Sequence, residues 1–342
     1  MRGAELSERF YVDVVKPLLP PGLRYAAARL GSGSDVLGLD DGMSRDHDWG
    51  CRLTLLVDDA GLVAEVKESL ERRLPERYGE HPVRFPVTWD RTFTHKVEVA
   101  TVRDFVVSRL GVDPTGGLSV LDWLVMPGQS VLEVTAGPVF HDAVGLGEVR
   151  ESLGWYPPDI ERYVLAASWS RISERMPMVG RTAGRGDELG SLLLSARLAE
   201  DLMWLAFVLC RRWPPYAKWR GTVFKALPVE LPLVDVATAS SWREREDAVV
   251  TSAGALLDLQ RERFSAASSA TGPFWDRPYR GIDDRVSARL LAEITDPEVA
   301  RLPAGVGSLE QWVDNMGVLI DPARRSALQD AYRLMTNAVT LS

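Results

Sequence analysis

Two aspartates one residue apart, Asp46 and Asp48, close the stretch GSGSDVLGLDDGMSRDHDWG, Gly31 to Gly50. In an extended chain, alternate side chains share a face, so both carboxylates project one way and His47 the other. Two acids placed like this suit a hard divalent cation such as Mg²⁺. That ion takes oxygen ligands, keeps several waters and completes its shell with substrate phosphates. Upstream, Gly33 and Ser34 offer what phosphates need, because glycine permits positive φ and close approach of backbone N–H groups, and serine adds a hydroxyl. The following SDVLGL predicts a short helix whose N-terminal dipole favours an anion. An EF-hand is excluded, since neither DDGMSRD nor DHDWG has the required register. The competing reading is a plain Gly-Ser turn followed by acids facing solvent at a strand end, and Asp40-Asp41-Gly42 reads as a solvated turn.

The elements that must position these residues follow from periodicity. ELSERFYVDVVKPLL has helical spacing and stops before Pro20-Pro21. HDWGCRLTLLVDD, VRFPVTW and HKVEVATV read as strands, AGLVAEVKESLERRL as an amphipathic helix, and VLEVTAGPVF, Val131 to Phe140, as a further strand. Past Pro157-Pro158 nearly everything is helical. Gly186 to Arg212 is apolar almost all round, which predicts a buried central helix of a bundle. The expected fold class is therefore an α/β N-terminal domain with a mixed sheet and helices over 1–150, and an all-α C-terminal helical bundle over 151–342.

Taken as one unit, Gly33-Ser34, Gly38 and Ser44-Arg45-Asp46-His47-Asp48 resemble the signature of the DNA polymerase beta-like nucleotidyltransferase superfamily. The blocks VEVATVRDF, LEVTAGPVFHD, GDELGSLLLSARLAEDLM and PYAKWRGTVF are similar to those of an uncharacterised bacterial family of predicted nucleotidyltransferases with a helical C-terminal half. The resemblance implies a nucleotidyltransferase fold, two Mg²⁺ ions, and transfer of a nucleoside monophosphate from a nucleoside triphosphate such as ATP to an acceptor. It does not imply which acceptor.

A third carboxylate on a neighbouring strand helps hold the metal nearest the acceptor. Glu98 in HKVEVAT is the first choice, because Val97 and Val99 turn to the core while Glu98 faces the open side with Lys96. Glu133 in VLEVT is the substitute, and Glu98, Glu133 or Asp142 would take the acceptor proton. His141-Asp142 either lines the cleft or holds a loop. In the helical half, Lys218 in PPYAKW is a candidate for the leaving pyrophosphate, with Tyr216 or Trp219 for a base, and Arg181 and Arg185 in RTAGRGDELGS are candidates for an anion-binding loop. Packed aromatics and exposed cations explain the same residues structurally.

Composition sets the outer limits. A hydrophobic share of 46% supports a substantial core, and a net charge of −8 speaks against a duplex-DNA surface. Cys51 and Cys210 are expected to be reduced core residues. No apolar run is long enough for a membrane span, so the expected location is the cytoplasm. The expected partners are a nucleoside triphosphate and a hydroxyl-bearing small-molecule or macromolecular acceptor. A nucleotide-binding regulatory or antitoxin-like protein without turnover is the alternative.

Overall fold

The computed structural model describes residues 1–43, 49–87 and 90–339. The chain forms two compact units, Met1–Leu118 with Ser130–Gly154, and Ser119–Gln129 with Trp155–Ser342. Among the described residues no helix is long and apolar enough to cross a membrane.

The first unit begins with α1 (Gly3–Phe10), β1 (Tyr25–Ala28), β2 (Arg52–Val57) and α2 (Ala60–Arg73). A short hairpin of β3 (Arg77–Tyr78) and β4 (His81–Pro82) precedes β5 (Arg84–Val87), β6 (Asp90–Thr101) and α3 (Val102–Leu110). The chain then gives α4 (Val120–Val125) to the second unit and returns through α5 (Gly128–Thr135) to β7 (Val139–Asp142) and α6 (Leu146–Ser152). The strands form one mixed sheet in the order β5-β6-β2-β1-β7. β2 is central, antiparallel to β1 and parallel to β6. Its sequence RLTLLV is apolar at nearly every position because both faces are covered, as a strand flanked on each side requires. Leu53, Leu55 and Val57 share a core with Val97 and Val99 of β6, Val66 and Leu70 of α2, and Leu6 and Phe10 of α1.

The strand expected over Val131–Phe140 is instead the end of α5 followed by β7. Val131 and Val134 are both fully buried and lie three apart, a helical spacing that a short run rich in β-branched residues disguises. Gly137, at φ 81°, and Pro138 then separate helix from strand.

The second unit is built on the antiparallel helices α7 (Pro158–Ala183) and α8 (Glu188–Leu209), followed by α9 (Ala217–Phe224), α10 (Leu233–Thr238) and α11 (Trp242–Arg261). A small hairpin, β8 (Thr271–Pro273) with β9 (Arg280–Ile282), interrupts the helices and is a departure from the all-α expectation. The helices α12 (Arg285–Ala292), α13 (Pro297–Ala300), α14 (Met316–Leu319) and α15 (Pro322–Val339) complete the unit. α8 packs against α7, α10 and α11, which explains why its sequence is apolar around most of its circumference.

Ser119–Gln129, which the sequence reading places in the first domain, belongs to the second unit through aromatic packing. Trp123 stacks on Trp213 at 6.4 Å with ring planes 4° apart, and Trp155 and Tyr156 lie 4.7 and 4.6 Å from the same indole. A capping box of Ser119 and Asp122 starts α4.

Candidate functional site

The glycine-serine loop leaves the sheet where β1 ends at Ala28. Its first residues are tied down by backbone bonds, Arg29 N–H to the carbonyl of Pro138 at 3.0 Å and Gly31 N–H to that of Glu133 at 2.8 Å. The loop is then closed from inside by an ion pair. Arg29 Nε donates to Asp35 Oδ2 at 2.7 Å and Nη2 to Oδ1 at 2.9 Å, with side chains only 2% and 10% exposed. The same guanidinium donates to the carbonyls of Leu30 and, at 2.8 Å, Ser32. A planar fork serving two carboxylate oxygens and two carbonyls fixes a curved backbone in a way that lysine's single ammonium would not.

Gly33 sits within this clasp at φ 138°. A β-carbon there would lie 2.3 Å from Asp35 Oδ1 and 2.5 Å from Arg29 Nη2, so both backbone conformation and space require glycine. The helix expected over Ser34–Leu39 is a run of turns instead. Val36 N–H bonds to Gly33, Gly38 to Asp35 and Leu39 to Ser34. Commitment of the Asp35 side chain to Arg29 and the positive φ of Gly38 prevent a regular helix from propagating. Asp40, read as part of a solvated turn, accepts the N–H of Gly3 at 2.7 Å and so caps the start of α1.

Asp46 and Asp48 lie outside the described residues, and so does His47. The described chain resumes at Trp49, just ahead of β2, whose first residues neighbour the end of β1 because the two strands are antiparallel.

Glu98 approaches the same end of the sheet from β6. Ala28, Thr54 and Glu98 are consecutive register partners across β1, β2 and β6. Val97 and Val99 are 4% and 2% exposed, whereas the Glu98 side chain is 42% exposed, so the predicted alternation is what β6 displays. Both carboxylate oxygens of Glu98 are engaged by Arg109 Nη2 from α3, at 2.8 and 2.9 Å. Arg109 Nε lies 3.4 Å from Glu133, and Nη2 lies 3.5 Å from where a β-carbon on Gly31 would stand. One guanidinium thus joins Glu98 and Glu133 and lies close to the start of the loop. The two acids weighed as alternatives for the third position are members of a single cluster, and Glu133 reaches it from a helix.

A cavity of about 210 Å³ opens beside this cluster, lined by Arg29, Arg52, Thr54, Asp90, Lys96 and Glu98 among others. Among the described residues no three His, Cys, Asp or Glu side chains converge as a metal site. Glu98 has the hard oxygen donors that Mg²⁺ takes, but it shares them with a guanidinium. A metal there would need oxygen donors beyond Glu98 to complete its shell.

Asp142 is a structural acceptor. It takes backbone N–H bonds from Val144, Gly145, Leu146 and Gly147 at 2.8 to 3.3 Å, closing the turn into α6. Burial pushes its pKa up, but those four N–H groups together outweigh burial and hold the carboxyl below its ordinary value. That makes Asp142 a poor proton acceptor. His141 pairs with Ala27 in the sheet and packs its ring 4.6 Å from that of Tyr25.

The cations predicted to grip the triphosphate lie in the second unit and do not form one cluster. Lys218 is exposed on α9, with Nζ 4.9 Å from the ring of Trp219. Arg181 is exposed in the last turn of α7, and Arg185 sits in the tight turn into α8, where Asp187 accepts the N–H of Gly190 at 2.8 Å. Arg220, two residues beyond Lys218, pairs with Glu200 at 2.9 Å. Glu200 lies roughly 18 Å along α8 from its first residue, at 1.5 Å per residue, so Arg185 and the Lys218 region sit at different levels of that helix.

Sequence reasoning missed Arg29 and Arg109. Each is an isolated basic residue whose acidic partners become neighbours only through the fold, and Arg109 at the end of α3 reads as an ordinary helix-terminal cation.

No curated protein matches the chain. A solved structure of a nucleotidyltransferase-like protein from Exiguobacterium sibiricum 255-15 is similar over 76% of this chain and 75% of that one, at 12% identity and a TM-score of 0.30, a likeness too loose to transfer fold or reaction. A family model described as a domain of unknown function, DUF4037, matches residues 123–220. That stretch contains Glu133, Arg181, Arg185 and Lys218 and leaves out Gly33, Ser34 and Glu98, so the chain is similar to this family from α4 to the start of α9.

Proposed function

We propose that the first unit is a Mg²⁺-dependent nucleotidyltransferase that moves a nucleoside monophosphate from a nucleoside triphosphate to a hydroxyl-bearing acceptor. One observation carries the reading: Arg109 joins Glu98 to Glu133, whose backbone carbonyl accepts the Gly31 N–H of the glycine-serine loop, at the sheet end where β2 begins, just downstream of Asp46 and Asp48 in the sequence. In this reading Gly33 N–H and the Ser34 hydroxyl hold triphosphate oxygens, on a loop kept in shape by Arg29 and Asp35. Asp46, Asp48 and Glu98 hold the metal, which supplies charge stabilisation to the attacking and leaving oxygens. The acceptor oxygen bonds to the α-phosphorus, the bond to pyrophosphate breaks, and the hydroxyl proton passes to Glu98 or Glu133. Lys218, Arg181 and Arg185 are read as phosphate-binding cations, and Lys218→Ala is expected to weaken ATP binding in titration calorimetry, with unchanged binding removing Lys218 from the reading.

Binding without turnover has one observation in its favour, the engagement of both Glu98 oxygens by Arg109. Pyrophosphate release in the presence of hydroxyl acceptors separates the two readings. Both readings require metal and nucleotide to share a site. ATP with Mg²⁺ at about a hundred times the dissociation constant is then expected to add about 2.7 kcal/mol, or roughly 4 °C in melting temperature for a chain of this length. Scanning calorimetry is expected to show a joint shift larger than the sum of the separate shifts, and strictly additive shifts would count against a joint site.

A further inference from the structure

The β8–β9 hairpin of the second unit ends in a turn that its own residues do not explain. Arg277 N–H donates to the Phe274 carbonyl at 3.2 Å and Phe274 N–H to that of Tyr279 at 2.9 Å, closing a tight turn with Trp275 as its first central residue. Trp275 sits at φ 56°, a left-handed conformation that glycine adopts freely and a bulky residue rarely does. The fold gives its side chain nothing in return, since Trp275 is 83% exposed. Backbone and burial both favour glycine at this position, so the indole is matched to something outside the chain.

The base of the hairpin is fixed. The Tyr279 ring packs 5.6 Å from that of Trp242 on α11 and covers Gly180 of α7, where a β-carbon would lie 2.5 Å from it. Arg280 N–H donates to the buried Glu246 of α11 at 2.9 Å. The turn from α7 into α8 touches the hairpin as well, because a β-carbon on Gly184 would stand 3.3 Å from the Tyr279 hydroxyl. Just beyond that turn, Leu189 and Leu193 lie one turn apart on α8 and are 70% and 59% exposed. The Glu188–Arg245 pair ties this end of α8 to α11.

Charge decides the class of partner. Around the hairpin the exposed cations Arg181, Arg185 and Arg243 are matched in number by the exposed acids Asp187, Glu244 and Asp247. At the tip, Asp276 and Arg277 form an exposed pair of opposite sign, 3.8 Å apart. A polyanion or an anionic lipid surface finds no net positive field here. A second copy of the same tip does find its complement, because a two-fold axis brings Asp276 of each copy to Arg277 of the other with the two indoles between them. We infer that the hairpin tip is a self-complementary docking surface through which two copies of this chain pair. Trp275 is the anchor on each side, and Leu189 and Leu193 extend the apolar contact. Every residue named lies in the second unit, so the inference stands apart from the transfer reaction assigned to the first.

Sedimentation equilibrium on the full chain tests it over about 1 to 300 μM, a range that spans weak protein association. Monomer and dimer are expected to exchange within that range. Trp275→Gly is expected to weaken association at least about tenfold, while the melting temperature at the lowest concentration holds or rises because glycine takes the left-handed turn without strain. Asp276→Arg and Arg277→Asp are each expected to weaken association about tenfold alone, and an equimolar mixture of the two variants to restore it. A chain that stays monomeric throughout, a dimer indifferent to Trp275→Gly, or a mixture that fails to recover overturns the inference. So does tryptophan quenching by single-stranded RNA that is lost in Trp275→Gly, which assigns the indole to a nucleic acid.

Discussion

With Mg²⁺ and ATP, Asp46→Asn and Asp48→Asn are each expected to release pyrophosphate about a thousandfold more slowly than the parent chain, while the melting temperature measured without metal or nucleotide holds or rises. Asparagine keeps the shape of aspartate but loses the charge a divalent ion requires. Metal-based charge stabilisation is worth several kcal/mol, and each 1.36 kcal/mol is tenfold in rate, which sets that scale. The stability arm has the opposite sign because clustered carboxylates repel when no cation is present. Rate and melting curve should be read on the same preparation. Parent-level turnover in either variant removes the metal ligands from the reading. A parent chain that shows the joint ATP and Mg²⁺ shift but no pyrophosphate release with any acceptor identifies a binding protein.

The second large effect falls on stability. Arg29→Ala is expected to cost about 3 to 5 kcal/mol, the scale of breaking a buried ion pair from one side, because Asp35 is left as an uncompensated buried charge. The carbonyls of Leu30 and Ser32 lose a donor in the same step. The joint replacement Arg29→Met with Asp35→Leu is expected to recover much of the loss, since apolar pairs of similar volume often match buried ion pairs in stability. Gly33→Ala acts in the direction of Arg29→Ala by driving a methyl group into the same clasp. Urea unfolding monitored by tryptophan fluorescence gives the comparison. A cost below about 1 kcal/mol for Arg29→Ala would rank the pair with screened surface bridges and contradict its burial.

Much of the sheet was legible because alternation is local. Val97, Glu98 and Val99 show it over three residues, whereas the central strand RLTLLV is legible as a nearly unbroken apolar run. The loop was legible only as composition. Gly-Ser announces a tight backbone, but what tightens it is Arg29 meeting Asp35, a pairing of side chains that no spacing rule encodes. Arg109 is harder still, since it joins Glu98 on a strand to Glu133 on a helix. Glu133 itself was placed on a strand because Val131, Leu132 and Val134 carry strand preference, and tertiary burial of one helical face overrode that preference. Trp123 shows the limit at the level of units, because its stacking partner Trp213 lies ninety residues away in sequence.

The aromatic stack of Trp123 on Trp213 also governs how this protein can be divided. The backbone passes between the two units after Leu118, after Gln129 and after Gly154, so no single cut separates them. A fragment ending at residue 150 would keep Trp123 and lose the indole it lies against, leaving apolar surface prone to association. One starting at residue 151 would lack α4 and leave Trp213 uncovered. Limited proteolysis between the units would therefore yield nicked molecules that migrate together under native conditions, and the two halves would have inherited their boundary as an interleaved pair and not as beads on a string.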